Sequence, residues 1–223
     1  MKKKKRNLFL RIFDIRMILY DFGKVTSIFF IWIWLRTKRI FINGKKPKHF
    51  ARGKYIIATN HVAPEDHFVI ASTVPSRRIC YVSTDNLTNG KFGWFFKAVG
   101  TIGINKNKPS IKAIKQVKDT LYRGHIVCMF PEGFVNKDEE IKQFKGGITM
   151  MAALSEADIL PIDIAKRGKG QRKVTIVGEK IKYQNMFKSP APTKEEIDRA
   201  SELLMSKETF VIKDLLDIKD IIL

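Results

Sequence analysis

The chain has little cysteine, no apolar run that reaches across a bilayer, and about half as many acidic residues as basic ones. Its two cysteines, Cys80 and Cys128, stand in separate strand-like settings, RICYV and HIVCMF. Neither has a CxxC neighbour, so no metal site and no disulfide framework is expected, and both read as buried, reduced thiols of a cytoplasmic protein. The longest uninterrupted apolar run, Ile28 to Leu35, has eight residues. As a helix it covers only about 12 Å of a roughly 30 Å hydrocarbon core, which excludes a crossing. A basic start followed by apolar residues imitates a signal peptide, but Arg11, Asp14, Arg16 and Asp21 interrupt it and no small-residue cleavage site follows. With 44% hydrophobic residues among 223, the chain can bury the core of one domain and is not a disordered tail.

What is abundant is positive charge: 42 Lys and Arg against 22 Asp and Glu, a net +20. Such a field draws polyanions, whether lipid headgroups, nucleic acid or phosphorylated substrates. Residues 1–50 carry fourteen of the basic residues and two of the acidic ones, in the same stretch as the densest apolar and aromatic residues. Basic and greasy together favour a membrane surface over nucleic acid. Read as a helix, Asn7, Arg11, Asp14 and Asp21 form one stripe and Leu8, Ile12, Ile15, Leu19 and Phe22 another. Gly23 is expected to end that helix and a second, Trp-rich one to follow. Trp32 and Trp34 suit the headgroup level, and Arg36, Lys38 and Arg39 suit anionic lipid. Residues 1–37 are therefore expected to form a two-helix, peripheral or monotopic arm on the cytoplasmic face of the cell membrane. The competing reading is a helical layer packed on the domain core.

From residue 38 to 223 strand-like and helix-like segments alternate. Strands are expected at 38–43, 54–59, 78–83, 101–105, 125–130, 159–164 and 173–178, with helices at 65–73, 91–99, 109–122, 147–156 and 194–218. Pro109-Ser110 and Gly124 bracket one helix, and Thr193 with Glu196 forms a capping box for the last. The alternation predicts an α/β domain with a mostly parallel, mixed sheet covered by helices.

In such sheets sites gather at the carboxyl ends of strands, and three polar clusters fall there. The first is Asn60-His61 with Asp66. On one continuous helix, five residues apart means about 140° apart, so the pair can meet only if the chain turns between them. Asp66 in the first helical turn could then orient His61 for proton abstraction from an alcohol. The plainer reading is a loop histidine and a helix-start acid, and His67 reads as structural. The second cluster, FPEGF, holds Glu132 between Pro131 and Gly133, or is a simple turn. The third places Lys106 at a strand end, as an anion ligand or a surface charge.

Together these clusters resemble the glycerolipid acyltransferase family, whose best-known members are the 1-acylglycerol-3-phosphate acyltransferases. Asn60, His61 and Asp66 match its Asn-His-x4-Asp signature (the HX4D motif) in full. WFFKAVGTIGINK resembles its aromatic-glycine stretch, with Lys106 where arginine is usual. Phe130, Pro131, Glu132 and Gly133 match its third signature, which Phe134 and Val135 then break. Ile159-Leu160-Pro161-Ile162 resembles its proline-centred strand, and FKGG at 144–147 its Phe-Lys-x-Gly step.

The resemblance implies transfer of an acyl group from acyl-CoA or acyl carrier protein to the free hydroxyl of lysophosphatidic acid, in phospholipid biosynthesis. His61 would be the general base and Asp66 its partner, with Asn60, Lys106, Glu132, Gly133 and Lys145 toward the acceptor; Lys145 is equally readable as a surface residue. No cofactor and no covalent acyl-enzyme is implied. Lysine at 106 keeps a point charge without arginine's two-pronged grip on phosphate, so a different lyso-lipid acceptor stands as the near alternative. A non-catalytic basic module that binds membranes or nucleic acid is the reading from another class, and it rests on charge alone.

Overall fold

The computed structural model describes residues 15–35, 37–42, 52–105, 111–131, 147–165, 173–188 and 191–206. All seven expected strands form: β1 Lys38–Phe41, β2 Tyr55–Thr59, β3 Ile79–Thr84, β4 Ile102–Ile104, β5 Ile126–Met129, β6 Asp158–Ile164 and β7 Val174–Val177. They make one sheet in the order β1-β7-β6-β2-β5-β3-β4. Every neighbouring pair is parallel except β6 with β7, so β1 and β7 run against the other five. The fold is α/β, with a mostly parallel mixed sheet under helices on both faces.

The central strands are mostly apolar because both of their faces are covered. On β2, Ile56 and Ala58 face a core shared with Val117, Leu121, Met151 and Leu204. Tyr55 and Ile57 face the other core, with Val69, Ile70 and Val74. The helices are α1 Ile18–Leu35 before the first strand, α2 Asp66–Thr73, α3 Asp85–Asn89, α4 Gly93–Ala98, α5 Ile111–Tyr122 and α6 Gly147–Ser155 between strands, and α7 Tyr183–Met186 after the last. A last helix, α8, occupies 194–206.

Local chemistry sets the helix ends. α5 buries Ala113, Val117 and Leu121 at four-residue spacing, which leaves its lysines outside. It closes in a Schellman turn: Gly124 N–H donates to Leu121 O, His125 N–H to Thr120 O, and Gly124 has φ +87°. The capping box of α8 forms as read, with Glu196 N–H donating to Thr193 Oγ1 and Thr193 N–H to Glu196 Oε2. Pro161, inside β6, is tolerated because its carbonyl accepts from Gly178 N–H, one residue past the end of β7. Its missing N–H therefore falls where that ladder has stopped.

One expectation fails. The break at Gly23 does not occur, and α1 runs through it to Leu35. A helix-interior glycine costs only about 1 kcal/mol relative to alanine, and tertiary contacts override it. Asp21 pairs in two-pronged fashion with Arg78, at 2.7 and 2.6 Å. Tyr20 Oη accepts from Ile79 N–H at 3.1 Å, and Lys24 donates to the Pro75 and Arg77 carbonyls. Met17 is buried against Gly100, where φ is +85° and a Cβ would come within 3.0 Å of both Met17 Cε and Cys80 Sγ. These contacts latch α1 to the start of β3. Among the described residues no helix is long and apolar enough to cross a membrane.

Candidate active site

β2 and β5 are adjacent and parallel, with Ala58 beside Met129, so the chain leaves the sheet at Asn60-His61 next to Phe130-Pro131. Asn60 holds this exit in place. Its Nδ2 donates to Ile164 O at 3.0 Å and its Oδ1 accepts from Ile164 N–H at 2.8 Å, which ties the end of β2 to the end of β6.

Between His61 and Asp66 the chain turns, as the pair requires, and α2 begins at Asp66. Asp66 is fully buried. Its Oδ2 accepts three N–H groups: His61 Nδ1 at 2.9 Å, Val62 N at 2.7 Å and Ala63 N at 2.8 Å. A carboxylate can only accept, so the proton of the neutral imidazole sits on Nδ1 and Nε2 keeps its lone pair. Oδ1 has no hydrogen-bond partner among the described residues.

A cluster of rings packs against one side of the imidazole. Phe130 stacks on His61 with centroids 4.2 Å apart and planes 27° apart. His67 stands edge-on to His61 at 5.6 Å, and packs against Phe130 at 5.1 Å and Tyr81 at 4.8 Å. Tyr81 Oη donates to the His67 carbonyl, and His67 Nδ1 lies 3.3 Å from Pro64 O. Burial, reinforced by nearby His61, holds the His67 imidazole below its usual range. Burial likewise pushes the Tyr81 hydroxyl and the Cys128 thiol upward, which leaves both protonated and inert.

Behind His67 opens a cavity of about 760 Å³. Its lining is predominantly apolar: Leu19 and Phe22 come from α1, Phe68 and Ala71 from α2, and Phe95 and Phe96 from α4. The volume suits an extended hydrocarbon chain.

Of the residues singled out in the sequence, His61 and Asp66 come together, and Asn60 spends both ends of its amide on main chain. Lys106, Glu132, Gly133 and Lys145 lie outside the described residues, although Pro131, which follows the stacked Phe130, and Asn105, just past β4, are described. Sequence reasoning missed this ring cluster. His67 directly follows Asp66, but its neighbours are Tyr81 in β3 and Phe130 just past β5, and no spacing rule links them.

A family model described as Acyltransferase matches residues 39–165, more than half of the chain, and takes in β1 to β6 and the whole His61–Asp66 turn. The chain belongs to the acyltransferase family. This acyltransferase domain is similar to three 1-acyl-sn-glycerol-3-phosphate acyltransferases. It is 28% identical over 110 residues to that of Streptococcus pneumoniae, covering 48% of this chain and 40% of the relative. It is 29% identical over 79 residues to a chloroplastic one of Arabidopsis thaliana, covering 34% and 22%. It is 30% identical over 87 residues to one of Chlamydomonas reinhardtii, covering 38% and 26%. The matched stretch spans less than half the length of each of these relatives. In fold it is similar to the 1-acyl-sn-glycerophosphate (LPA) acyltransferase PlsC of Thermotoga maritima, with TM-score 0.60 and 17% identity over 89% of this chain and 79% of that one.

Proposed function

We propose that this acyltransferase moves a fatty acyl group from an acyl thioester to the free hydroxyl of lysophosphatidic acid. The observation that carries the reading is the Asp66 carboxylate 2.9 Å from His61 Nδ1, which leaves Nε2 as the free base. The acceptor hydroxyl gives its proton to His61 Nε2 as its oxygen attacks the thioester carbonyl. The C–S bond then breaks, and the proton passes from the imidazolium to the departing thiolate. Asp66 stabilises the imidazolium in between. The thiol carrier is coenzyme A or acyl carrier protein, both anionic and suited to the +20 field. The cavity beside His67 takes a hydrocarbon chain.

The domain at 38–223 works from the cytoplasmic face of the cell membrane, with residues 1–37 as its peripheral or monotopic arm. Ile15, Ile18, Phe22 and Val25, exposed along one side of α1 and the turn before it, support that placement. Drawing a lipid tail into water costs about 0.8 kcal/mol per methylene, which an enzyme lying on the leaflet avoids. A second acceptor reading, another lyso-lipid, is favoured by Phe134-Val135 and Lys106, which remove two arginines from the family pattern. Crossing both donors with a panel of lyso-lipids separates the two readings: turnover of another acceptor with none of lysophosphatidic acid rejects the first. His61→Ala should lower transfer by roughly 10²–10⁴-fold with vesicle binding intact, and unchanged transfer would remove His61 from the chemistry.

A further inference from the structure

Four residues that line the cavity, Phe22, Phe68, Leu87 and Phe95, are also among the exposed large apolar side chains. They form a greasy rim around its mouth. On the α4 side the rim continues outward through Trp94, 68% exposed and edge-on to Phe95 at 6.0 Å, and Phe92, 62% exposed. Exposed Lys91 and Lys97 flank this area, and no acidic residue occurs between Asn86 and Asn105.

Firm packing beneath the patch accounts for its outward presentation. Thr88 is buried between two glycines: a Cβ on Gly93 would meet Thr88 O at 2.1 Å, and one on Gly103 would meet Thr88 Oγ1 at 2.2 Å. The α3–α4 hairpin is thereby pinned to β4, with its aromatics turned to solvent.

We infer that the α3–α4 hairpin is a membrane-docking element in its own right, seating Phe92 and Trp94 in an anionic leaflet with Lys91 and Lys97 at its headgroups. Exposed aromatics between lysines match the level where tails meet headgroups. The patch is continuous with the mouth of a hydrocarbon-sized cavity, so its occupant is lipid. A second copy of the chain would bring +20 against +20. The hairpin begins at Asp85, well beyond the expected N-terminal arm at 1–37, and its contact with lipid is independent of the transfer chemistry.

The test uses the full chain with Trp32→Phe and Trp34→Phe, which leaves Trp94 as its sole tryptophan. On vesicles of mixed phosphatidylcholine and phosphatidylglycerol, Trp94 emission should shift to shorter wavelength and be quenched by lipids brominated high on the acyl chain. Lys91→Gln with Lys97→Gln should weaken partitioning into the same vesicles roughly thirtyfold at low salt. Unchanged Trp94 emission while the chain sediments with vesicles overturns the inference. So does a shift that brominated lipid leaves unquenched, which would mark a protein contact. Because these readouts involve no turnover, they succeed or fail separately from the acyltransfer assay.

Discussion

Asp66→Asn separates charge from shape at the centre of the site. The asparagine oxygen can take the place of Oδ2 and still accept from His61, Val62 and Ala63, at 2.9, 2.7 and 2.8 Å in the native turn. The amide nitrogen then occupies the position of Oδ1, which is buried with no partner among the described residues. An orphaned buried donor costs about 1–3 kcal/mol, so the variant should fold with a lowered Tm. The rate should fall much further. An imidazolium and a carboxylate in direct contact have charge centres about 4 Å apart, worth about 4 kcal/mol at an effective dielectric near 20. At 1.36 kcal/mol per decade, kcat should drop by about 10³-fold, with KM for the acyl donor little changed. The assay is steady-state acyl transfer on lipid vesicles, paired with thermal melts of both proteins. A folded variant that keeps more than about a tenth of the native kcat would refute the base-and-partner reasoning. Asp66→Ala would be a poorer test, because it strands three donors at once and confounds rate with folding.

Asn60→Ala removes both bonds to Ile164 and unties β2 from β6 just before the imidazole. Chemical denaturation should show a loss of about 2 kcal/mol, and a midpoint unchanged from the native chain would contradict the clip. His67 gives a pH signature. Its folded pKa lies below the ordinary 6.5, so as pH falls through 6.5 the unfolded chain takes up the proton first. Stability from this group is complete above 6.5 and declines below it until the folded pKa is passed. His67→Phe should flatten that acid limb in melts between about pH 7 and 4, relative to the native chain. Parallel limbs would place the titration elsewhere.

The strands were legible because a sheet covered on both faces demands continuous apolar runs bounded by glycine and polar residues, as YIIAT and HIVCMF illustrate. The turn between His61 and Asp66 was legible for a geometric reason: no helix can bring residues five apart onto one side. Strand direction was not. Nothing in KVTIVG announces that β7 runs against β6, since a short apolar strand reads the same either way. Gly23 misled because local propensity weighs little beside the Asp21–Arg78, Tyr20 and Lys24 contacts, whose partners lie more than fifty residues away. The short helices α3 and α7 are too brief for a period of 3.6 to register. Asn60 read as a residue facing substrate, and only the neighbouring end of β6 reveals where its amide goes.

The latch on α1 has a consequence for the cavity. One side of the apolar cavity belongs to a helix tied to the sheet by the two-pronged Asp21–Arg78 pair and by the Tyr20 and Lys24 bonds. The bore of the cavity is thus set by how that helix is moored, and conditions that loosen the mooring, such as high salt or loss of the Asp21 charge, should widen it.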